Sequence, residues 1–404
     1  MTDNIVADQR VVSGMRVTGR MHLGNYHGAL KNWLQLQADY DCYFFAADWH
    51  ALTTNYEHTA GIASQSRLMI EDWLAAGLDS TLTKIFIQSG VPQHAELHLL
   101  LSMITPLAWL ERVPTYKDQQ EKLKDKDLST YGFLGYPLLQ TADILVYKPK
   151  YVPVGEDQIP HVELTREIAR RFNYLFGQTS DFIQTTTAAF AKLSKHQAQF
   201  FQQLLRRYQQ QGDVESLQEG QQLLQQVAGL SRNDRECLAG HLAGHGKEIL
   251  PAPEVLLTKE AKFPGLDGQK MSKSYNNTIA LTEEPESVAM KIKRMPTDPA
   301  RQKRTDPGEP EKCPVWALHK VYSNAQVKDW VVTGCRSAGI GCLDCKSPVI
   351  DSIIAEQKPI IERAEYFAAN PKLVTKIIAD GTEQARATAQ QTLTEVKVAM
   401  GIAE

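Results

Sequence analysis

The sequence predicts an α/β protein: a doubly wound parallel sheet, interrupted late by a helical insertion and followed by an all-α C-terminal region. Three observations carry this expectation. Short apolar runs alternate with helical patterns up to about residue 177. These runs are apolar at consecutive positions, as strands buried on both faces require. Beyond about residue 290 the strand signal stops and long amphipathic patterns take over.

Taken in order, "RVVSGM" (Arg10 to Met15) is a short apolar run ending near a glycine. "HLGNYHGALKNWLQLQ" follows as a helix, with Leu23, His27, Leu30 and Trp33/Leu34 on one face. "CYFFAAD" (Cys42 to Asp48) is a continuous apolar strand, "SQSRLMIEDWLAAG" a helix, and "KIFIQS" (Lys84 to Ser89) a third strand. Strand–helix alternation of this kind builds parallel sheets, whose ligands sit beyond the carboxyl ends of the strands. Residues 178–250 change character. They are rich in glutamine with apolar stripes at helical spacing, as at Phe200, Phe201, Leu204, Leu205 and Tyr208. Two or three helices are expected there, one opened by a capping-box pair, Ser231 and Asp234. The expected divisions are 1–177, 178–250, 251–289 and 290–404.

The chain has 404 residues, enough for two or three domains, and its composition is ordinary at 43% hydrophobic and 23% charged. The start, "MTDNIVADQRVV", lacks the basic-then-apolar pattern of a secretion signal, and no run approaches a membrane span. A soluble cytoplasmic protein is expected. With a net charge of −3, nucleic-acid binding must rest on local basic patches rather than a global field.

Two local motifs carry chemistry. In "TGRMHLGNYHGA" (Thr18 to Ala29), Gly19 and Gly24 bracket His22 and Asn25 at a helix start. Free backbone N–H groups there attract anions; His22 and Asn25 are candidate phosphate donors, and Gly24 leaves room for a flat base. Alone, the stretch reads equally well as an ordinary glycine-containing helix start. In "GLDGQKMSKSYNN" (Gly265 to Asn277), Lys270, Ser272, Lys273 and Ser274 lie on a loop of small residues, suited to a polyphosphate and its leaving pyrophosphate. Alone, this is also a solvated basic loop.

Together the motifs are more specific. "HLGN" after the first strand and a complete "KMSKS" some 250 residues later resemble the paired signature of class I aminoacyl-tRNA synthetases. "GYPLLQTADILVYKPKYVPVGEDQIPHVELTREIARRFN", "SGMRVTGRMHLGNYHGAL" and "FAADWHALTT" resemble the tryptophanyl-tRNA synthetase family, over nearly the whole chain except the glutamine-rich insertion. The resemblance implies a Rossmann-type catalytic domain (1–177, completed by the KMSKS segment 251–289), a helical anticodon-binding domain (290–404) and a homodimer. It implies ATP with Mg²⁺ and L-tryptophan as reactants and tRNA(Trp) as partner. Asp143 would accept the indole N–H. Tyr136 and Gln158 would surround the substrate amino group, with Gln140 beside the indole. Gly155 and Asp157 would lie between amino acid and ribose. Gly14, Arg16, Thr18, Gly19, His22, Gly24 and Asn25 would line the ATP site with Lys270, Met271, Ser272, Lys273 and Ser274. Lys117, on a loop, would reach the phosphates. The charge-handling set is then His22, Asn25, Lys117, Lys270 and Lys273. Gln140 stands where some members have Met, and Arg16–Val17 where others have Gln-Pro.

A buried carboxylate facing an indole N–H is a sharp selector, since a ring without that donor leaves it unpaired. Without the resemblance, Asp143 reads as a helix cap or a satisfied core carboxylate. The nearest alternative enzyme, a tyrosyl-tRNA synthetase, shares fold and motifs. A different nucleotidyl transferase of the superfamily and a catalytically silent RNA-binding paralogue are more distant.

Four of the six cysteines fall in Cys313-x21-Cys335-x6-Cys342-x2-Cys345. Four thiolates suit tetrahedral Zn²⁺ or a [4Fe–4S] cluster. Only one close pair is present, unlike a standard zinc ribbon. The resemblance extends to a bacterial subset that carries a [4Fe–4S] cluster in its anticodon-binding domain, with "CPVW" at the first ligand and "IGCLDCK" at the last two. Just upstream, Lys291, Lys293, Arg294, Arg301, Lys303 and Arg304 form a basic run, either a solvated face or a tRNA phosphate contact. The insertion is either a stabilising addition or a helical subdomain near the tRNA acceptor end.

Overall fold

The structure, a computed structural model, describes residues 9–113, 129–178, 180–244, 247–258 and 263–403. Five strands form one fully parallel sheet: β1 (Arg10–Arg16), β2 (Asp41–Ala47), β3 (Thr83–Ile87), β4 (Tyr151–Val154) and β5 (Glu254–Leu257), in the order β3-β2-β1-β4-β5. The order runs outward from β1 in both directions. This puts the topological switch point between β1 and β4, where ligands of doubly wound sheets bind.

The two faces of β2 show why its sequence is apolar throughout. Cys42, Phe44 and Ala46 enter one core, while Tyr43, Phe45 and Ala47 enter the other. Successive side chains of a strand alternate faces, so a strand covered on both sides needs apolar residues at both parities. The first core is roofed by α1, α2 (Asp48–Asn55) and α3 (Ile62–Ala76). Here α1 comprises Leu23–Asn25, a π-helical stretch Tyr26–Leu30 and Lys31–Leu36. In this core Trp33 stacks on Phe44, with ring centroids 4.3 Å apart. The opposite core is roofed by α4 (Gln93–Ser102), α5 (Leu107–Glu111), α6 (Tyr131–Leu134), α7 (Tyr136–Leu145) and α8 (Ile159–Phe176).

Among its described residues the glutamine-rich segment holds four helices rather than two or three: α9 (Ser180–Phe190), α10 (Lys195–Gln211), α11 (Val214–Gln226) and α12 (Arg232–Ala243). The extra one, "SDFIQTTTAAF", carries three consecutive threonines, which weaken the helical signal through their stiff χ1 angles. The four share their own small core of Phe201, Leu224, Leu238 and Leu242 with their neighbours. Ser231 and Asp234 form the expected capping box.

The later helices are α13 (Pro285–Arg294), α14 (Pro314–Tyr322), α15 (Ala325–Arg336), α16 (Cys342–Ala369) and α17 (Pro371–Ala399). The last two are part of the sheet's own helix layers and do not stand apart from it. Val349, Ile350, Ile353 and Ile360 of α16 join the β1–β2 core that contains Val11 and Phe44. Ala385, Ala389, Leu393 and Val396 of α17 join Val12, Tyr43, Phe45 and Phe86 in the other. Contact is closest at Gly381, where a Cβ would lie 2.2 Å from the carbonyl oxygen of Ile85 on β3. Only a residue without a side chain lets α17 press onto that strand.

Candidate active site

A cavity of about 380 Å³ opens at the switch point. Its walls are the C-terminal halves of β1 and β4, the π-helical part of α1, and α7. Gly14, Arg16, Tyr136, Gln140, Asp143, Gly155 and Gln158, singled out in the sequence from separate stretches, all line it. The π-helical turn brings Gly28 and Ala29 to the wall along with Asn32 and Trp33, and such local unwinding is frequent at functional sites. Asp157 is exposed beside the cavity, where its carboxylate accepts from Gln158 Nε2 at 3.1 Å.

Asp143 is neither a helix cap nor unpartnered. It lies inside α7, 2% exposed. Its Oδ1 accepts from Gln88 Nε2 and His94 Nδ1, each at 2.7 Å, and its Oδ2 is paired with His50 Nε2 at 2.7 Å. Burial by itself would push its pKa up. The hydrogen bonds from His50 and His94 outweigh that and hold the carboxyl well below the usual range. Asp143 is therefore an ionised acceptor at neutral pH. His50, Gln88 and His94 were not picked out from the sequence. His50 falls in the quoted "FAADWHALTT" and Gln88 at the end of "KIFIQS", where neither stands out, and His94 sits in an ordinary helix start.

The second group of predicted residues gathers where α1 begins. Gly19 takes a left-handed φ of 82°, turning the chain between β1 and α1. Asp72 of α3 anchors this turn, accepting from Arg20 Nη1 and the backbone N–H of Met21, both at 2.7 Å. His22 and Asn25 form a reciprocal cap: His22 Nδ1 accepts from the Asn25 backbone N–H, and Asn25 Oδ1 accepts from that of His22. Because Nδ1 accepts, the proton of the neutral ring sits on Nε2. Burial, reinforced by the nearby Lys273 charge, pushes the His22 pKa down to about 4, so the ring is neutral at physiological pH.

The KMSKS loop closes onto this helix start. Met271 is buried, and its sulfur accepts from the Gly24 backbone N–H at 3.3 Å. The space over Gly24 expected for a base is occupied here, since a Cβ on it would meet His22 and Met271 at about 3 Å. Lys273 Nζ reaches back to the carbonyl of Thr18 at 2.5 Å. Asn277 ties the loop together, accepting from the Ser272 backbone N–H at 2.8 Å and donating to Asp267 at 2.7 Å. Ser272 and Ser274 share a hydrogen bond of 2.8 Å, and Lys270 is exposed. Lys117 lies outside the described residues.

The four cysteines come from separate helix ends: Cys313 caps α14, Cys335 lies in the last turn of α15, and Cys342 and Cys345 open α16. Burial and the neighbouring thiols push Cys345 up to about 12, and Cys335 is raised by burial and by Cys313 and Cys342 against Arg301. Among the described residues no three His, Cys, Asp or Glu side chains converge as ligands of one metal ion. Next to Cys345, the buried Lys346 donates to the carbonyls of Lys293 and Met295 at 2.8 and 2.7 Å, tying α16 to the C-terminal end of α13.

A parallel sheet with a side-chain pocket at its switch point, a capped HLGN helix start and a KMSKS loop closed upon it define a class I aminoacyl-tRNA synthetase. The family model described as "tRNA synthetases class I (W and Y)" matches residues 6–210 and 235–356. The tryptophan–tRNA ligase of Ralstonia nicotianae is 59% identical over 394 residues, covering 98% of both chains. That of Thermotoga maritima is 40% identical, covering 97% of this chain and 99% of its own. Coverage this complete includes the glutamine-rich helices, so that segment has a counterpart in these two relatives, while the family model leaves residues 211–234 unmatched. The structure of a tryptophanyl-tRNA synthetase from Campylobacter jejuni complexed with ADP and tryptophan superposes with a TM-score of 0.70 at 25% identity, covering 97% of this chain and 99% of that one. The chain belongs to the class I tRNA synthetases for tryptophan and tyrosine, and within them to the tryptophan–tRNA ligases. Among the described residues no helix is long and apolar enough to cross a membrane.

Proposed function

We propose that the switch-point cavity binds L-tryptophan through Asp143 and that the HLGN and KMSKS elements handle ATP. The chain is an ATP-dependent tryptophan–tRNA ligase. In this reading the tryptophan carboxylate attacks the α-phosphate, giving tryptophanyl-adenylate and pyrophosphate. The 2′-hydroxyl of the terminal tRNA adenosine then attacks the acyl carbon, breaking the acyl–phosphate bond, so that AMP leaves and the hydroxyl proton is released. The carboxylate is already ionised, so no general base is needed for the first step. The protein's work is positioning and charge stabilisation.

The observation that carries the reading is Asp143, a buried carboxylate held ionised in the cavity wall. Tyr136, Gln140 and Gln158 line the same cavity and surround the amino acid. Gly14, Arg16, Gly155 and Asp157 bridge towards the ribose, and Thr18, Gly19 and Gly24 shape the turn beneath the triphosphate. Neutral His22 donates through Nε2–H, and Asn25 through its amide. Lys270, Lys273, Met271, Ser272 and Ser274 bring the KMSKS loop to the pyrophosphate, with Mg²⁺ carried on the ATP and Lys117 as a further cation.

The cysteines fit a [4Fe–4S] cluster by the chemistry of their donor set. Burial and the neighbouring cysteines raise the Cys335 and Cys345 thiols, which places the four sulfurs close together, and iron would compensate the charge of their thiolates. Cys313, Cys335, Cys342 and Cys345 would hold it, and its contribution would be structural, fixing α14, α15 and α16 together. Cys342 and Cys345 are the only close pair among the four, whereas a zinc ribbon uses two such pairs. Lys293 and Arg294 end α13, the helix joined to the cluster region through Lys346, and this supports the basic run as a tRNA phosphate contact. A homodimer is supported by the exposed apolar side chains of Leu99, Met103, Leu107 and Tyr131.

Tryptophan-dependent ATP–pyrophosphate exchange tests the assignment. Exchange with tryptophan and not tyrosine is expected, and Asp143→Ala should abolish that preference. Equal exchange with tyrosine would overturn it.

A further inference from the structure

Behind Asp143 lies a buried polar chain that the reaction itself does not use. Gln88, His94 and Tyr147 are each fully buried. Tyr147 Oη lies 2.7 Å from His94 Nε2, and His94 Nδ1 lies 2.7 Å from Asp143 Oδ1. Phe45, Phe86 and Tyr147 pack their rings around the imidazole.

The ionised carboxylate fixes most of the donors and acceptors of this chain. The backbone N–H of Trp49 can only donate, and it points at Gln88 Oε1 at 3.2 Å, so the other end of that amide, Nε2, donates to Asp143 Oδ1. An ionised carboxylate only accepts, so His94 must carry its proton on Nδ1. In the singly protonated ring Nε2 accepts, and Tyr147 is the donor. Burial raises the Tyr147 phenol well above its ordinary pKa, which keeps that proton in place.

The two oxygens of Asp143 are consequently not equivalent. Oδ1 already accepts from two donors, neither of which lines the cavity. Oδ2 accepts from one, His50, which does line it. A carboxylate oxygen has two lone-pair sites, so capacity remains on the side facing the cavity.

We propose that His94 and Tyr147 are positioning residues of the amino-acid site: Tyr147 locks His94 in its Nδ1–H form, His94 and Gln88 saturate Oδ1, and the indole N–H is thereby directed to Oδ2 of Asp143. This rests on the reading of Asp143 as the indole acceptor. A flipped or re-tautomerised His94 would present a lone pair to Oδ1 and force the carboxylate to turn.

The experiment compares kcat/KM in pyrophosphate exchange for tryptophan and for β-(benzothiophen-3-yl)alanine, which has sulfur in place of the N–H. Wild type should prefer tryptophan by at least about 10²-fold. Tyr147→Phe and His94→Leu should each lower that preference about tenfold or more with the ATP KM unchanged. His94→Asn, which can still donate to Oδ1, should retain part of it. A merely structural role would lower both amino acids together and leave their ratio intact, and that result overturns the proposal. Tyr147→Phe keeps the ring that fills the core, so its ratio is readable even if His94→Leu fails to fold. Asp143→Ala separates the two levels. If it keeps the preference, the indole-acceptor reading itself falls. If it loses the preference while Tyr147→Phe and His94→Asn keep it in full, only the positioning proposal falls. A tryptophan-bound crystal structure should place the indole nitrogen about 3 Å from Oδ2; contact with Oδ1 instead would also overturn it.

Discussion

Lys273 Nζ donates to the backbone carbonyl of Thr18 across 255 residues of chain. This bond, with the Gly24–Met271 contact beside it, closes the KMSKS loop over the turn that leads from β1 into α1. Burial lowers the Lys273 pKa, with nearby Asp72 opposing that shift. The ammonium is thus partly desolvated and held against the turn that begins α1.

Lys273→Ala should lower kcat for pyrophosphate exchange by about 10²-fold, the usual cost of removing one preorganised donor to developing charge. The tryptophan KM should change little, because the amino-acid cavity is lined by other residues. Steady-state exchange with each substrate varied in turn checks this split.

Gly381→Ala should destabilise the fold by at least about 2 kcal/mol, as overpacking does. The added methyl would sit 2.2 Å from the Ile85 carbonyl oxygen, and neither the strand nor α17 can yield without disturbing the core they share. Thermal unfolding compares the two, with Gly28→Ala, whose added Cβ meets nothing within 4 Å, as the control for a glycine change alone.

Stability should fall as the pH drops from about 6.5 towards 4. His22 and His161 are each pushed down to about 4 by burial, against an ordinary value of 6.5. Between those values the unfolded chain binds protons that the folded chain does not, so acid favours unfolding. Their contribution is fully present above 6.5 and is lost as the pH falls through that window. His161→Gln should flatten the dependence of Tm on pH over that range; an unchanged slope would contradict the assignment.

Anaerobically purified protein should contain about four iron and four sulfide per chain with visible absorption. Cys342→Ser should abolish the absorption and raise the KM for tRNA more than it affects adenylate formation. Lys346→Met should cost about 1–3 kcal/mol by leaving the Lys293 and Met295 carbonyls without their donor. An intact tRNA KM in cluster-free protein would separate the cluster from tRNA binding.

Much of the site was legible in the sequence because its chemistry is local. HLGN places His22 and Asn25 three residues apart, the spacing of a reciprocal helix cap. KMSKS is a contiguous loop, and "TADIL" puts Asp143 one helical turn from Gln140. The strands were legible too, since a short run apolar at both parities, bounded by turn residues, suits a strand covered on both faces.

Tertiary structure decided what depends on residues meeting from distant segments. The sequence alone determined the parallel sheet, the two nucleotide motifs and the candidate acceptor Asp143. It could not show that α16 and α17 roof the sheet they follow, because amphipathic periodicity reports that a helix has an apolar face and not what covers it. Nor could it show His50, Gln88 and His94 converging on Asp143, since hydrogen-bond partners 49 to 93 residues apart in sequence become neighbours only through strand order. The carboxylate's place in the chain belongs to the sequence; its charge, and the oxygen it turns to the cavity, belong to the fold.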